Sequence, residues 1–175
     1  ILNPDGSDQE SVSYRYLSER YTTGELAELP GEIAAVLGAA MIASRSAVDA
    51  IGGFDEDFFL YGEDEDLCLR LRRRGLQIGY IPAARVLHHH GQSERRSTPT
   101  EVWRKKFRAE WLFYRKHYRP ETIARIRRAA RWKINWRLLS LTLCRPFHVR
   151  QDQVREKLNK YKIMKEELRK SPLES

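Results

Sequence analysis

Four consecutive carboxylates, Glu63-Asp64-Glu65-Asp66, stand directly after the aromatic segment Phe58-Phe59-Leu60-Tyr61-Gly62, and three consecutive histidines, His88-His89-His90, follow downstream. Like charges this dense repel one another unless a proton or a cation sits among them. One or two acids suit the first turn of a helix, where each gains roughly 0.3–1 kcal/mol from the helix dipole. Four exceed that need. A carboxylate at the mouth of a pocket beside Phe58, Phe59 and Tyr61 is a candidate general base, because partial desolvation by the rings would raise its pKa toward working pH. The imidazoles are candidate ligands of a divalent ion, against the plainer reading of a solvated loop. Asp66 and Arg70, one helical turn apart, suit an ion pair within the helix. Arg72, Arg73 and Arg74 read as a solvated helix end.

These groups need elements to position them. Residues 65–74 read as a helix, with Leu67 and Leu71 on one face and Gly75 where a left-handed C-terminal residue belongs. Residues 77–81 and 85–89 read as short strands separated by Pro82. Acids at a helix start, then strand, proline, strand and histidine, would return the chain to the same end of a sheet, so that a carboxylate and an imidazole meet over one site. Residues 33–43 are small and apolar throughout, as in a strand buried on both faces. Gly38 in their middle would let a backbone or a ligand approach closely. Ser46 suits the cap of a short helix that Gly52-Gly53 ends. Residues 1–32 read as loop with a short helix, and residues 54–61 as an acidic, aromatic loop. The remainder is helical. Trp103, Phe107, Trp111, Tyr114 and Tyr118 form one stripe, better suited to packing than to holding a ligand. After Pro120, a second stripe runs through Ile123, Ile126, Ala130, Ile134, Leu138 and Leu141, with Pro146 as its end. Val154, Leu158, Tyr161 and Leu168 mark a third helix over 151–170, too short in its apolar repeat for a coiled coil.

The 175 residues suit one domain with an appendage, and 41% hydrophobic content can bury a core. Two cysteines, Cys68 and Cys144, make no disulfide framework and point to a reducing compartment. The longest apolar run, residues 33–43, is too short to span a bilayer. The chain opens Ile1-Leu2-Asn3-Pro4-Asp5 without a visible signal peptide, and is expected to continue from upstream sequence. The net charge of +8 hides a division: residues 1–94 hold 8 Lys/Arg against 16 Asp/Glu, whereas residues 95–150 hold 17 against 3. Such asymmetry points to a polyanionic partner, either an anionic membrane surface or nucleic acid. Trp132 and Trp136, amid Arg131, Lys133 and Arg137, suit a membrane interface, or else packing on the rest of the protein. No helix-turn-helix, zinc finger or single-strand-binding signature supports nucleic acid, and the acid cluster would repel phosphate.

The run GGFDEDFFLYGEDEDLCLRLRRRGLQIGYIPAARVLHHHGQS over residues 52–93, with Gly38-Ala39-Ala40-Met41 before it, resembles the C-terminal signature of the family 2 glycosyltransferases, especially their rhamnosyltransferase-like branch. The opening Leu2-Asn3-Pro4-Asp5-Gly6-Ser7, with Gln9 and Ser11, resembles a segment that this branch carries between its metal motif and the small-residue strand. The resemblance covers residues 1–118 and is most specific over 38–93. It implies an α/β fold, the C-terminal half of a GT-A sandwich followed by basic amphipathic helices. Residues 1–98 would be the acceptor-side part of the catalytic domain and 99–175 a helical extension. It further implies an inverting, metal-dependent sugar transferase. Asp64 would be the catalytic base, supported by Glu63, with Gly38, Ala39, Phe59 and Tyr61 at the substrate. His88 would complete a site for Mg or Mn beside the donor diphosphate. Asn3-Pro4-Asp5 imitates a degenerate Asp-x-Asp, but only 32 residues separate Asp5 from Gly38, too few for the usual intervening helix and strand. The true Asp-x-Asp and the nucleotide-binding half are therefore expected upstream, and residues 1–175 alone are expected to be inactive. The donor implied is a nucleotide-diphosphate sugar, with rhamnose on thymidine diphosphate fitting the branch. The acceptor implied is a lipid-linked or cell-envelope glycan at the cytoplasmic face of the plasma membrane. Two other readings remain: a non-catalytic scaffold of the same fold, which Glu63, Asp64 and His88 count against, and a basic nucleic-acid-binding module.

Overall fold

The computed structural model describes residues 1–89, 94, 96–144 and 151–170; His90 and Pro146 lie outside them. The chain divides into two compact units, Ile1–Arg95 and Arg96–Ser175.

The first unit is built on a two-stranded antiparallel sheet and one helix. Strand β1 (Val12–Ser13) pairs with β2 (Ala35–Val36) in the register Val12↔Val36 and Ser13↔Ala35. One turn of 3₁₀ helix, Glu19–Tyr21, follows β1. Helix α1 (Arg45–Asp49) starts at Ser44, with Ser46 already inside its first turn, so the expected cap lies two residues too late. Gly52 and Gly53 do close it, both in left-handed conformation (φ 77° and 75°), the amide of Gly53 returning to the Val48 carbonyl at 3.0 Å. Helix α2 (Glu63–Arg73) lays Leu67, Cys68, Leu69 and Leu71 against β2 and the core. Its C-terminus is a Schellman turn: Gly75 is left-handed (φ 82°), its amide donates to the Arg72 carbonyl, and the amide of Leu76 donates to that of Leu71.

The strand content is smaller than the sequence suggests. Of residues 33–43 only Ala35 and Val36 form a ladder, and the chain turns at Gly38-Ala39, leaving Gly38, Ala39 and Ala40 exposed. Residues 77–81 form no strand, and 85–89 contribute only a bridge, in which Leu2 pairs with Leu87. The alternation of apolar residues is present there, but Tyr80, Ile81, Val86 and Leu87 are exposed, because the described residues supply no further strand to cover them. Arg72 also departs from expectation. It is 6% exposed rather than solvated, and its guanidinium donates to the carbonyls of Pro30 (3.0 Å) and Gly31 (2.8 Å) and to the Tyr16 hydroxyl (3.2 Å). The Tyr16 hydroxyl in turn donates a hydrogen bond to the Ala34 carbonyl at 2.7 Å. Burial pushes the Tyr16 phenol up to about 12, against the downward pull of Arg72. An inward arginine thus ties the loop before β2 to α2.

Among the described residues the second unit is three helices. Helix α3 (Pro99–His117) begins with a capping box, Thr98 and Glu101 exchanging side-chain-to-backbone bonds, and with Pro99 at its first position. Helix α4 (Pro120–Cys144) again starts on proline, and α5 (Gln151–Lys170) packs against both α3 and α4. The aromatic stripe is core: Phe107, Trp111, Tyr114 and Tyr118 are buried, with Trp111 and Tyr114 edge to face at 5.4 Å between ring centres. Ile126 and Ile134 of α4 are buried, as are Val154, Ile163 and Leu168 of α5, and the two helices pack on each other. Glu167 of α5 is buried as well and receives the guanidinium groups of Arg104 and Arg108 from α3.

Candidate functional site

The site is assembled where α2 begins. Tyr61 and Gly62 are both left-handed (φ 70° and 84°), and only the second is glycine. A non-glycine residue in this region carries about 1–2 kcal/mol of strain, which the surrounding fold must hold. The double turn lets the Asp66 amide reach the Gly62 carbonyl at 2.9 Å and starts the helix abruptly, so all four carboxylates fall in its first turn.

The four then part company. Asp66 is fully buried and bound to Arg70, whose Nε and Nη2 lie 2.7 and 2.6 Å from Asp66 Oδ2. Arg70 also donates to the Ile51 carbonyl at 2.9 Å, so this pair fastens α2 to the end of α1, the structural role its spacing suggests. Asp64 faces the turn after β2. Its Oδ2 accepts the Gly38 amide at 2.9 Å, and its Oδ1 accepts the Glu65 amide at 2.9 Å. A Cβ placed on Gly38 would come within 3.3 Å of Asp64 Cβ. Glycine is therefore the residue that lets this carboxylate lie flat against the backbone. Glu63 is half-buried, and its Oε2 is enclosed without a hydrogen-bond partner among the described residues. Burial, reinforced by the neighbouring Asp64, lifts the Glu63 carboxyl above its ordinary range. The Tyr61 phenol is raised by burial first and then by the nearby carboxylates of Glu94 and Glu63.

The aromatic residues divide similarly. Phe58 turns into the core, whereas Phe59 is 89% exposed, so desolvation of the acids does not come from both rings. Ala39 is exposed on the turn beside Gly38. His88 lies on the opening segment: its amide donates to the Leu2 carbonyl at 2.9 Å, and its Nδ1 lies 3.1 Å from Gln9 Oε1. In the tautomer that makes this bond Nδ1 carries the proton and Nε2 the lone pair a metal would use. Among the described residues, however, no group of three or more His, Cys, Asp or Glu side chains is placed to hold an ion. The described residues do not fit a divalent metal by themselves, and His88 is at most one ligand. Asp5 is occupied in a turn, accepting from the Ser7 amide (3.0 Å) and hydroxyl (2.6 Å), which hold its carboxyl below the usual range.

Two features carry signals that are plain only beside the fold. One is Arg72, whose place three residues past Leu69 and four past Cys68 put it on the buried face of α2. The other is an open cavity of about 580 Å³ bordered by Val36, Leu37, Cys68, Leu71, Ile78 and Val86. Its lining is mainly apolar and includes none of Gly38, Glu63, Asp64 or His88. It presents no charged side chain, so the carboxylates at the start of α2 remain the better candidate for chemistry.

The family model described as glycosyl transferase family group 2 matches residues 10–158. An N-acetylglucosaminyl-diphospho-decaprenol L-rhamnosyltransferase of Mycobacterium tuberculosis is 42% identical over 65 residues, 37% of this chain and 21% of that protein. The rhamnosyltransferase WbbL of Escherichia coli is 42% identical over 55 residues, 30% of this chain and 21% of that one. A pre-mycofactocin glycosyltransferase of Mycobacterium tuberculosis is 46% identical over 52 residues, 30% of this chain and 11% of its own length. The aligned part thus spans about a fifth or less of these relatives. No solved structure matches.

Proposed function

Because this chain belongs to glycosyl transferase family group 2, in its rhamnosyltransferase-like branch, we propose that it carries the acceptor-side chemistry of an inverting sugar transferase, with Asp64 as the base. The observation that supports this most is the clamp on Asp64. One backbone amide on each carboxylate oxygen, Gly38 on Oδ2 and Glu65 on Oδ1, fixes the plane of the group and leaves each oxygen a further lone pair. A general base needs this: a fixed orientation and an available lone pair at the proton it removes. As the acceptor hydroxyl attacks the anomeric carbon, its proton passes to Asp64. The bond from that carbon to the diphosphate oxygen breaks, its electron pair leaves with the nucleotide diphosphate, and the configuration inverts. Glu63, with its raised carboxyl beside the base, supports Asp64 or meets the acceptor. Ala39, Phe59 and Tyr61 border the acceptor. If a divalent ion binds with ligands from outside the described residues, His88 would be one of its ligands, and the ion would supply positive charge for the diphosphate. The names of the relatives favour rhamnose as the sugar and a polyprenyl-diphosphate-linked glycan as the acceptor.

The test is Asp64→Asn in the full-length protein. Transfer should fall by about 10²–10⁴-fold, the span of general-base catalysis, with donor binding kept. Unchanged turnover removes Asp64 as the base; loss of donor binding together with transfer would point to a structural role instead.

A further inference from the structure

Helix α4 is apolar on two sides. At roughly 100° per residue, Ile123, Ile126, Ala130, Ile134, Leu138 and Leu141 fall on one face, and Ile126 and Ile134 are buried. Trp132, Trp136, Leu139 and Leu143, spaced by four, three and four, fall on nearly the opposite face. All four of these are more than half exposed, Trp132 at 70% and Trp136 at 56%. The two indoles stack in parallel, with ring centres 6.1 Å apart and planes 2° from parallel. They form a continuous apolar surface rather than scattered side chains. A helix that serves only its own bundle needs one apolar stripe, so the second needs an occupant.

The charges around the stripe say which. Between Glu121 and Asp152 the sequence has no acidic residue, while α4 carries Arg125, Arg127, Arg128, Arg131, Lys133 and Arg137. Arg128, Arg131, Lys133 and Arg137 are exposed or half-exposed. Tryptophan beside leucine, bordered by cations and with no acidic residue on α4 beyond Glu121, is complementary to an anionic lipid surface: the indoles sit at headgroup depth, the leucines below them and the cations against lipid phosphates. The acid beside these cations is the Glu110 carboxyl of α3, near Lys133. No helix among the described residues is long and apolar enough to cross a membrane. We propose that the Trp132–Leu143 face of α4 docks flat on an anionic bilayer. The inference rests on the second unit alone and stands whether or not the first unit transfers a sugar.

The test is co-sedimentation of the 175-residue chain with phosphatidylcholine vesicles, with and without phosphatidylglycerol. Binding is expected to the anionic vesicles, to weaken as salt is raised, and to fall at least tenfold in Trp132→Ser/Trp136→Ser. Arg128→Gln/Arg131→Gln/Lys133→Gln should lose the preference for phosphatidylglycerol. The replaced side chains reach solvent, so both variants should keep the parent's helical signal; the tryptophan variant should match its thermal midpoint, and the charge variant, with three fewer mutually repelling cations, should melt no lower. Absence of binding to either vesicle, or equal binding by the tryptophan variant, overturns the proposal. So does a parent that self-associates through this face, shown by a sedimentation coefficient that drops in the tryptophan variant without any vesicle effect.

Discussion

Glu63 and Asp64 are adjacent carboxylates in unlike surroundings, and the difference is measurable. Asp64 has two backbone donors, whereas Glu63 has an enclosed oxygen without a partner among the described residues and a carboxyl raised chiefly by burial. A carboxyl whose pKa is raised on folding holds its proton more tightly folded than unfolded, so its contribution to stability falls as pH rises from the ordinary glutamate value of about 4.3 through the raised one. Glu63→Gln should therefore have a higher thermal midpoint than the parent at neutral pH, and the gain should vanish below about pH 4, where both carry a neutral group. An equal shift at both pH values would show that charge is not the cause. The density of acids made this cluster visible in the sequence, and the small residues around Gly38 pointed to a close approach there. What approaches could not be read, because Gly38 and Asp64 are 26 residues apart and meet only through the tertiary fold. Nor could the division of labour among the four acids, which depends on which way each points from a helix start set by the left-handed Tyr61-Gly62 turn.

Among the elements, the docking of α5 on α3 turns on Glu167, 3% exposed between Arg104 and Arg108. Burial alone would raise its carboxyl, but its bonds to Arg108 and Arg104 outweigh burial and hold it below the usual range. The two sides of this contact are unequal, because the arginines reach water and the glutamate does not. Arg104→Ala/Arg108→Ala strips both guanidiniums from a buried carboxylate and should cost about 3 kcal/mol in urea unfolding at neutral pH. Glu167→Leu lets both cations rehydrate and should stay within about 1 kcal/mol of the parent. The deficit of the double variant should shrink as pH falls through the carboxylate range, since the parent's pair is lost there as the group protonates. These helices were legible because their signals are local: proline and capping residues at the starts, a glycine at the end of α2, and apolar residues every three or four positions. The helix expected over 151–170 is Gln151–Lys170, and that expected over 65–74 is Glu63–Arg73. Strands were less legible for the converse reason. Alternation marks a face but not a neighbour, and residues 77–81 alternate without a ladder to join among the described residues.

At the scale of the whole molecule, the two units carry opposite charge. Residues 1–95 hold 9 Lys/Arg against 16 Asp/Glu, and residues 96–175 hold 23 against 8. A surplus of fifteen positive charges on an 80-residue unit opposes its own compaction. Two of its acids, Glu166 and Glu167, are held in ion pairs, and the Glu166 carboxyl falls to about 2 through bonds to Arg104 and Lys170. Salt acts on attraction and repulsion alike. It weakens the exposed pairs, each worth at most about 1 kcal/mol, and it screens the repulsion among the surplus cations, with a Debye length near 10 Å at about 0.1 M. Cations outnumber acids almost three to one in this unit, so relief of the repulsion outweighs weakening of the pairs. The helical signal reports mainly on this unit, since α3, α4 and α5 run 19, 25 and 20 residues, against 5 and 11 for α1 and α2. Thermal unfolding followed by circular dichroism in the helical band should therefore move up by several degrees between low salt and about 0.5 M sodium chloride. A midpoint that falls with salt would mean that the arginine–glutamate pairs, rather than the surplus of cations, govern the stability of the basic unit.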